Sequence, residues 1–149
     1  MATTKVGQKQ RALLRAIPST YDQSLSQYFG NGIIDIEQAR NQHAVYANAL
    51  REAGIEVTII DGDDEYPDCV FVEDQAIVIE GKVLLPIPGH ESRVGEQLEI
   101  ANFLVEQLTK ANITTMSPPA KMDGGDLLRF DDRFYVGSSG RTNQEGIDE

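Results

Sequence analysis

The densest group of chemically capable side chains is Pro67-Asp68-Cys69-Val70-Phe71-Val72-Glu73-Asp74. Three carboxylates, Asp68, Glu73 and Asp74, flank a short apolar stretch that reads as a buried strand. Acidic residues are poor strand formers, and holding them beside a core costs desolvation unless a cation pairs with them. A planar guanidinium or amidinium ligand does this through two parallel hydrogen bonds. The same residues also fit a solvated loop edge with internal salt bridges. Arg93 and Arg141 are the second signal. Each stands at the start of a predicted helix, where the helix dipole disfavours a cation. A local penalty that occurs twice suggests a task, such as clamping a ligand carboxylate. The alternative is a surface arginine paired with Glu96 or Glu145.

A nucleophile and base are harder to find. Cys69 is the only thiol, and His43 and His90 are the only imidazoles. Cys69 adjoins the apolar stretch with nothing nearby to lower its pKa, so it reads as a packed core thiol. His43 falls on the apolar stripe of a predicted helix and reads as a packing residue, and His90 lies in a loop. A calcium loop starting at Asp61 fails, because the sixth position is Tyr66 rather than Gly and the twelfth is Val72 rather than Glu. Gly95 is followed by Glu96, not Lys, which excludes a phosphate-binding P-loop there. No metal and no cofactor are expected.

These residues need elements to hold them. Residues 12–17 read as a first strand stopped by Pro18, and 19–32 as a loop with one helical turn. Asp35 is a good N-cap. Ile36, Ala39, His43, Tyr46, Leu50 and Ala53 follow at helical spacing, with Gly54 at the C-terminal cap. Residues 55–60 read as a strand. Residues 70–72, 76–79 and 82–87 are short apolar strands, with a turn at Glu80-Gly81. A second helix is predicted from Ser92 to Lys110, with Val94, Leu98, Ala101, Val105 and Leu108 on its buried face. Residues 113–116 form a further strand. Residues 126–130 and 134–136 flank a hairpin turn, and a third helix begins near Thr142.

An internal echo links two stretches. Acidic turn, strand, turn, strand, small-residue loop, Arg and helix occur between Glu73 and Glu96, and again between Asp123 and Glu145. The fold class is therefore α/β, built of repeated strand–strand–helix–strand units. The second unit is incomplete at the C-terminus.

Composition narrows the classes. The 149 residues carry 24 Asp and Glu against 13 Lys and Arg, a net charge of −11. That argues against nucleic acid, whose phosphates demand clustered cations, and is compatible with a cationic ligand. One cysteine excludes a disulfide framework. The apolar runs are too short to span a membrane. Lys5, Lys9, Arg11 and Arg15 precede the first acidic residue, Asp22, but no long apolar stretch follows. A secretory signal is not indicated, an amphipathic transit peptide remains an alternative, and the cytoplasm is the expected compartment.

The motifs also carry a family resemblance. Residues 66–74 closely resemble the Pro-Asp-(Ser or Cys)-Val-Phe-Val-Glu-Asp segment of dimethylarginine dimethylaminohydrolases. Pro88-Gly89-His90-Glu91-Ser92-Arg93, followed by Gly95-Glu96, is similar to that family's Pro-Gly-Ala-x-Ser-Arg-Arg-x-Glu. Asp123-Gly124-Gly125-Asp126 resembles its acidic-Gly-Gly-Asp turn. Phe134-Tyr135-Val136-Gly137 through Arg141-Thr142-Asn143 resembles its Phe-Val-Gly-x-Ser-x-Arg-Thr-Asn run.

The resemblance implies a pentein-like α/β propeller, present here in part, with residues 1–149 forming one partial guanidino-hydrolase domain. It implies hydrolysis of a methylated arginine or related guanidine to citrulline and an amine, by a Cys nucleophile and a His acid–base. It assigns Asp74 to the guanidinium, Asp68 and Glu73 to further substrate contacts, and Arg93 and Arg141 to the amino acid carboxylate. Asp123 would orient the catalytic His. The family's His and Cys have no counterpart in this sequence, so the isolated chain is expected to be inactive. The partner is an arginine-like guanidino substrate, and a partial propeller is expected to form a homo-oligomer. The alternative function is a non-catalytic, self-associating half-propeller that binds a cationic amino acid or a protein.

Overall fold

The computed structural model describes residues 10–25, 34–108 and 112–149. Parts of the predicted 19–32 loop, the end of the second helix and the basic residues Lys5 and Lys9 lie outside them. The chain divides into two compact units, Met1–Val70 and Phe71–Glu149. No helix among the described residues is long and apolar enough to cross a membrane.

In the first unit, β1 (Arg11–Arg15) pairs in parallel with β2 (Glu56–Ile60), with Leu13 opposite Thr58. Parallel neighbours need a crossover, and α1 (Ile36–Glu52) supplies it. The Asp35 carboxylate accepts from the Gln38 N–H at 2.9 Å, closing the first turn. After the helix, Gly54 takes a φ of +83°, a left-handed conformation that side chains with a Cβ resist. The buried stripe differs from the predicted one. Ala47 is fully buried, whereas Tyr46 and Ala53 are exposed. The helix therefore faces inward through His43, Ala47 and Leu50, a set that the apolar periodicity shares with Tyr46.

In the second unit, β3 (Ile77–Ile79) and β4 (Lys82–Leu85) form an antiparallel hairpin. α2 (Gln97–Gln107) follows, and β5 (Ile113–Thr115) returns parallel to β4. This is one whole strand–strand–helix–strand unit with sheet order β3-β4-β5. A second begins with the hairpin β6 (Leu127–Phe130) and β7 (Arg133–Val136), followed by α3 (Gln144–Asp148). Among the described residues the strands make separate sheets, none of them closed. The core of this unit gathers Ile77, Met116, Ala120 and Met122, with Ile79, Leu84, Leu127 and Val136 packed on it.

Two predicted elements are corrected. Residues 70–72 do not form a strand. The Asp74 N–H donates to the Phe71 carbonyl at 3.1 Å, and Val72–Asp74 is a 3-10 turn. The Val-Phe-Val composition favours a strand, but the segment has no ladder partner among the described residues, and local bonds form there instead. The second helix starts at Gln97 rather than Ser92, after a separate 3-10 turn at Glu91–Arg93. Its buried residues are Ile100 and Leu104, while Val94, Leu98 and Val105 are exposed. The helix is apolar on more than one side, so periodicity alone does not choose the buried face.

Candidate functional site

The site is built in the second unit from the two acidic turns and the two small-residue loops. Asp74 ends the Val72–Asp74 turn. Its Oδ1 accepts from the Gly125 N–H at 2.9 Å, and its Oδ2 accepts from Arg93 Nη1 at 2.7 Å. Asp123 precedes the other acidic 3-10 turn, Gly124–Asp126. Its Oδ1 accepts from the Gly89 N–H at 2.9 Å, and its Oδ2 accepts from Arg141 Nη1 at 3.0 Å. Arg93 Nη1 also lies 3.7 Å from Asp123 Oδ2. One arginine nitrogen thus stands between the two carboxylates.

Glycine makes this approach possible. A Cβ on Gly89 would collide with the Arg141 backbone, and one on Gly124 would collide with the Glu73 carbonyl. These close contacts bring the loop after β4 against the loop after β7, and one acidic turn against the other.

The two arginines are held differently. Arg93 is buried, with Nε and Nη2 both donating to Glu96 Oε1 at 2.8 and 2.5 Å. Burial works against its charge, but the hydrogen bonds to Glu96 and Asp74 outweigh this and raise its pKa above the ordinary arginine value. The predicted alternative, a surface pair with Glu96, is corrected: the pair exists, and Glu96 is itself fully buried. Arg141 has a side chain 30% exposed, bonds Asp123, and makes no ion pair with Glu145 among the described residues.

Asp126, Ser139 and Thr142 form a support for the Arg141 loop. Asp126 Oδ2 accepts from Ser139 Oγ at 2.7 Å and Thr142 Oγ1 at 2.6 Å. Ser139 Oγ also accepts from the Arg141 and Thr142 backbone N–H groups. This fixes the loop that carries Arg141. The Asp126 position was visible in the Asp-Gly-Gly-Asp motif, but its partners lie across the hairpin.

Of the predicted site residues, Asp74, Arg93, Asp123 and Arg141 are brought together. Glu73 is exposed, and its carboxylate has no hydrogen bond or ion pair among the described residues. Asp68 belongs to the first unit, where it is buried and both its oxygens accept from the Leu25 N–H at 3.1 Å. Burial, then the Asp68 charge, raise the pKa of Tyr21. Cys69 is fully buried, its sulfur 3.3 Å from the Asp63 N–H. His90 is exposed, and its Nδ1 is 2.8 Å from Ser92 Oγ. Among the described residues no group of His, Cys, Asp and Glu is placed to hold a metal ion.

Two acidic turns facing two arginine-bearing loops are what the motif order anticipates, and comparison with known proteins decides the kinship. Residues 20–149 match the family described as N,N dimethylarginine dimethylhydrolase, eukaryotic. The chain belongs to the dimethylarginine dimethylaminohydrolase family. It is 35% identical over 112 residues to the N(G),N(G)-dimethylarginine dimethylaminohydrolase of Pseudomonas aeruginosa, covering 75% of this chain and 44% of that protein. The enzyme of the same name from Streptomyces coelicolor is 31% identical over 140 residues, covering 94% of this chain and 54% of that one. The chain therefore spans about half the length of these relatives.

Among solved structures, the Pseudomonas aeruginosa enzyme as a cysteine-to-serine mutant in complex with citrulline matches with a TM-score of 0.89 at 28% identity. It is covered over 54% of its length, and this chain over 94%. The N-terminal domain of a cyanobacterial arginine dihydrolase matches at a TM-score of 0.79 and 22% identity, which shows a shared mixed α/β fold.

Proposed function

We propose that this chain forms the substrate-binding part of a hydrolase that cleaves a guanidino C–N bond of methylated arginine or a related guanidine, giving citrulline and an amine. The observation that carries this reading is the Asp74–Arg93–Asp123–Arg141 cluster, assembled by the family's motifs in family order. Asp74 holds the substrate guanidinium. Arg93 and Arg141 hold the amino acid carboxylate, and Asp123 orients a catalytic histidine. Asp74–Arg93 and Asp123–Arg141 bridge directly, which sets opposite charges side by side in the site. A substrate with a cation at one end and an anion at the other would exchange its own charges into these pairs.

The chemistry needs more than this binding half. The thiol at Cys69 is buried against Asp63, and His90 is engaged with Ser92. Neither is poised as an attacking thiolate or its base, so the isolated chain does not turn over dimethylarginine. The architecture is that of a partial α/β propeller, and the open β6–β7 hairpin supports self-association of the isolated chain.

Titration calorimetry of the chain with citrulline and dimethylarginine tests the reading. Binding that is weakened by Asp74→Asn and by Arg141→Ala is the expected result. Loss of one member of a desolvated charge pair commonly costs about 2–5 kcal/mol of binding. Binding unaffected by both substitutions would overturn the site. Citrulline release at an enzyme-like rate, abolished by Cys69→Ala, would overturn the assignment of Cys69.

A further inference from the structure

We infer that Glu96 is a positioning residue of this site, acting through Arg93; the inference rests on the proposed role of Arg93 in substrate binding. A guanidinium offers its donors as a rigid fork. Glu96 Oε1 takes the Nε edge and Nη2 together, leaving Nη1 to face Asp74 and Asp123. The orientation of that last nitrogen is therefore set from behind, by a carboxylate that is fully buried.

The second repeat shows what happens without such a partner. Arg141 also precedes a helix, but the residue three positions on is Gln144, whose side chain donates to Asp148 at 2.8 Å. Arg141 reaches Asp123 through one nitrogen and is 30% exposed. The site thus pairs a fixed arginine with an adjustable one. The adjustable member can follow a ligand, while Glu96 holds the plane of the fixed member whether Nη1 bridges Asp74 or a ligand. Glu96 itself has no need to touch substrate.

The test uses the 149-residue chain and reads Arg93 directly. In the unaltered chain, phenylglyoxal should modify Arg141 at least about tenfold faster than Arg93, and the Arg93 Nε–H signal in ¹⁵N–¹H spectra should exchange slowly, on the scale of charge-assisted hydrogen bonds. Equal reactivity of the two arginines would overturn the inference without any substitution. In Glu96→Gln the difference should collapse and the Nε–H signal should move, with weaker citrulline binding by the folded protein. Glu145→Gln, the neighbouring acid of the second repeat, should change none of these.

Glu96→Asp covers the case in which Glu96→Gln does not fold. It keeps the charge with a shorter reach and should leave Arg93 partly protected. A folded Glu96→Gln or Glu96→Asp variant in which Arg93 stays as fully protected as in the unaltered chain would also overturn the inference. Absence of citrulline binding by the unaltered chain would count against the proposed function, whereas Arg93 protection and its loss in the variants would still decide the role of Glu96.

Discussion

In the β3–β4 hairpin, Ile77 lies opposite Leu84 and Ile79 opposite Lys82; in β6–β7, Leu128 lies opposite Tyr135 and Phe130 opposite Arg133. The two-residue turns also correspond, with Glu80 and Asp131 both at positive φ. Burial is where the repeats part. Ile77 is 8% exposed and belongs to the core, because Met116, Met122, Leu127 and Val136 gather around it and its neighbours. At the matching positions, Leu128 is 64% and Phe130 65% exposed. The arginines follow the same division, with Arg93 locked by Glu96 and Arg141 partly open. The same local pattern therefore makes either a packed layer or an open face, according to what lies against it.

Substitutions that treat the repeats alike are the sharpest way to break this comparison. Arg93→Ala leaves Glu96, Asp74 and Asp123 facing one another with a buried cation missing. It should cost about 3–5 kcal/mol in denaturant unfolding, whereas Arg141→Ala removes a side chain that is 30% exposed and leaves Asp123 bonded to the Gly89 N–H, and should cost about 1 kcal/mol or less. Equal losses would mean that the two arginines are held alike.

Ile77→Ala should destabilise by about 2–5 kcal/mol, and Leu128→Ala should stay within about 0.5 kcal/mol in a monomeric sample. A large stability loss at Leu128 that depends on protein concentration would place that face in a self-associating interface. Sedimentation of a Leu128→Glu, Phe130→Lys double variant checks the same point, and a shift towards monomer is the expected result.

The smallest expected effect lies in the first unit, as a control remote from both repeats in sequence. Burial lowers the His43 pKa below its ordinary 6.5. Below that value the folded state binds fewer protons than the unfolded chain, so this contribution is complete above pH 6.5 and is lost as the pH falls. Urea titrations at descending pH should show that slope flattened in His43→Gln, with the Arg93 and Arg141 contrast unchanged.

The sequence by itself determined the local signals. Asp35 capped α1, the turn residues at 80–81 and 131–133 marked both hairpins, the dense acidic segment put Asp74 forward, the arginines before two helices put Arg93 and Arg141 forward, and the family motif added Asp123. Each is encoded within a few neighbours, by capping, turn chemistry or motif spacing. Other features depended on what lay across space. Residues 70–72 have strand composition but no ladder partner among the described residues, and Val72–Asp74 turns instead. The second helix carries Leu98 and Val105 as well as Ile100 and Leu104, and only packing selects which pair is buried. Glu96 looks like an ordinary surface partner for Arg93 at helical spacing. Its burial beside Asp74 and Asp123 makes it a fixed support, because a charge removed from water must be held by opposite charge, and only the tertiary structure brings those charges to one place.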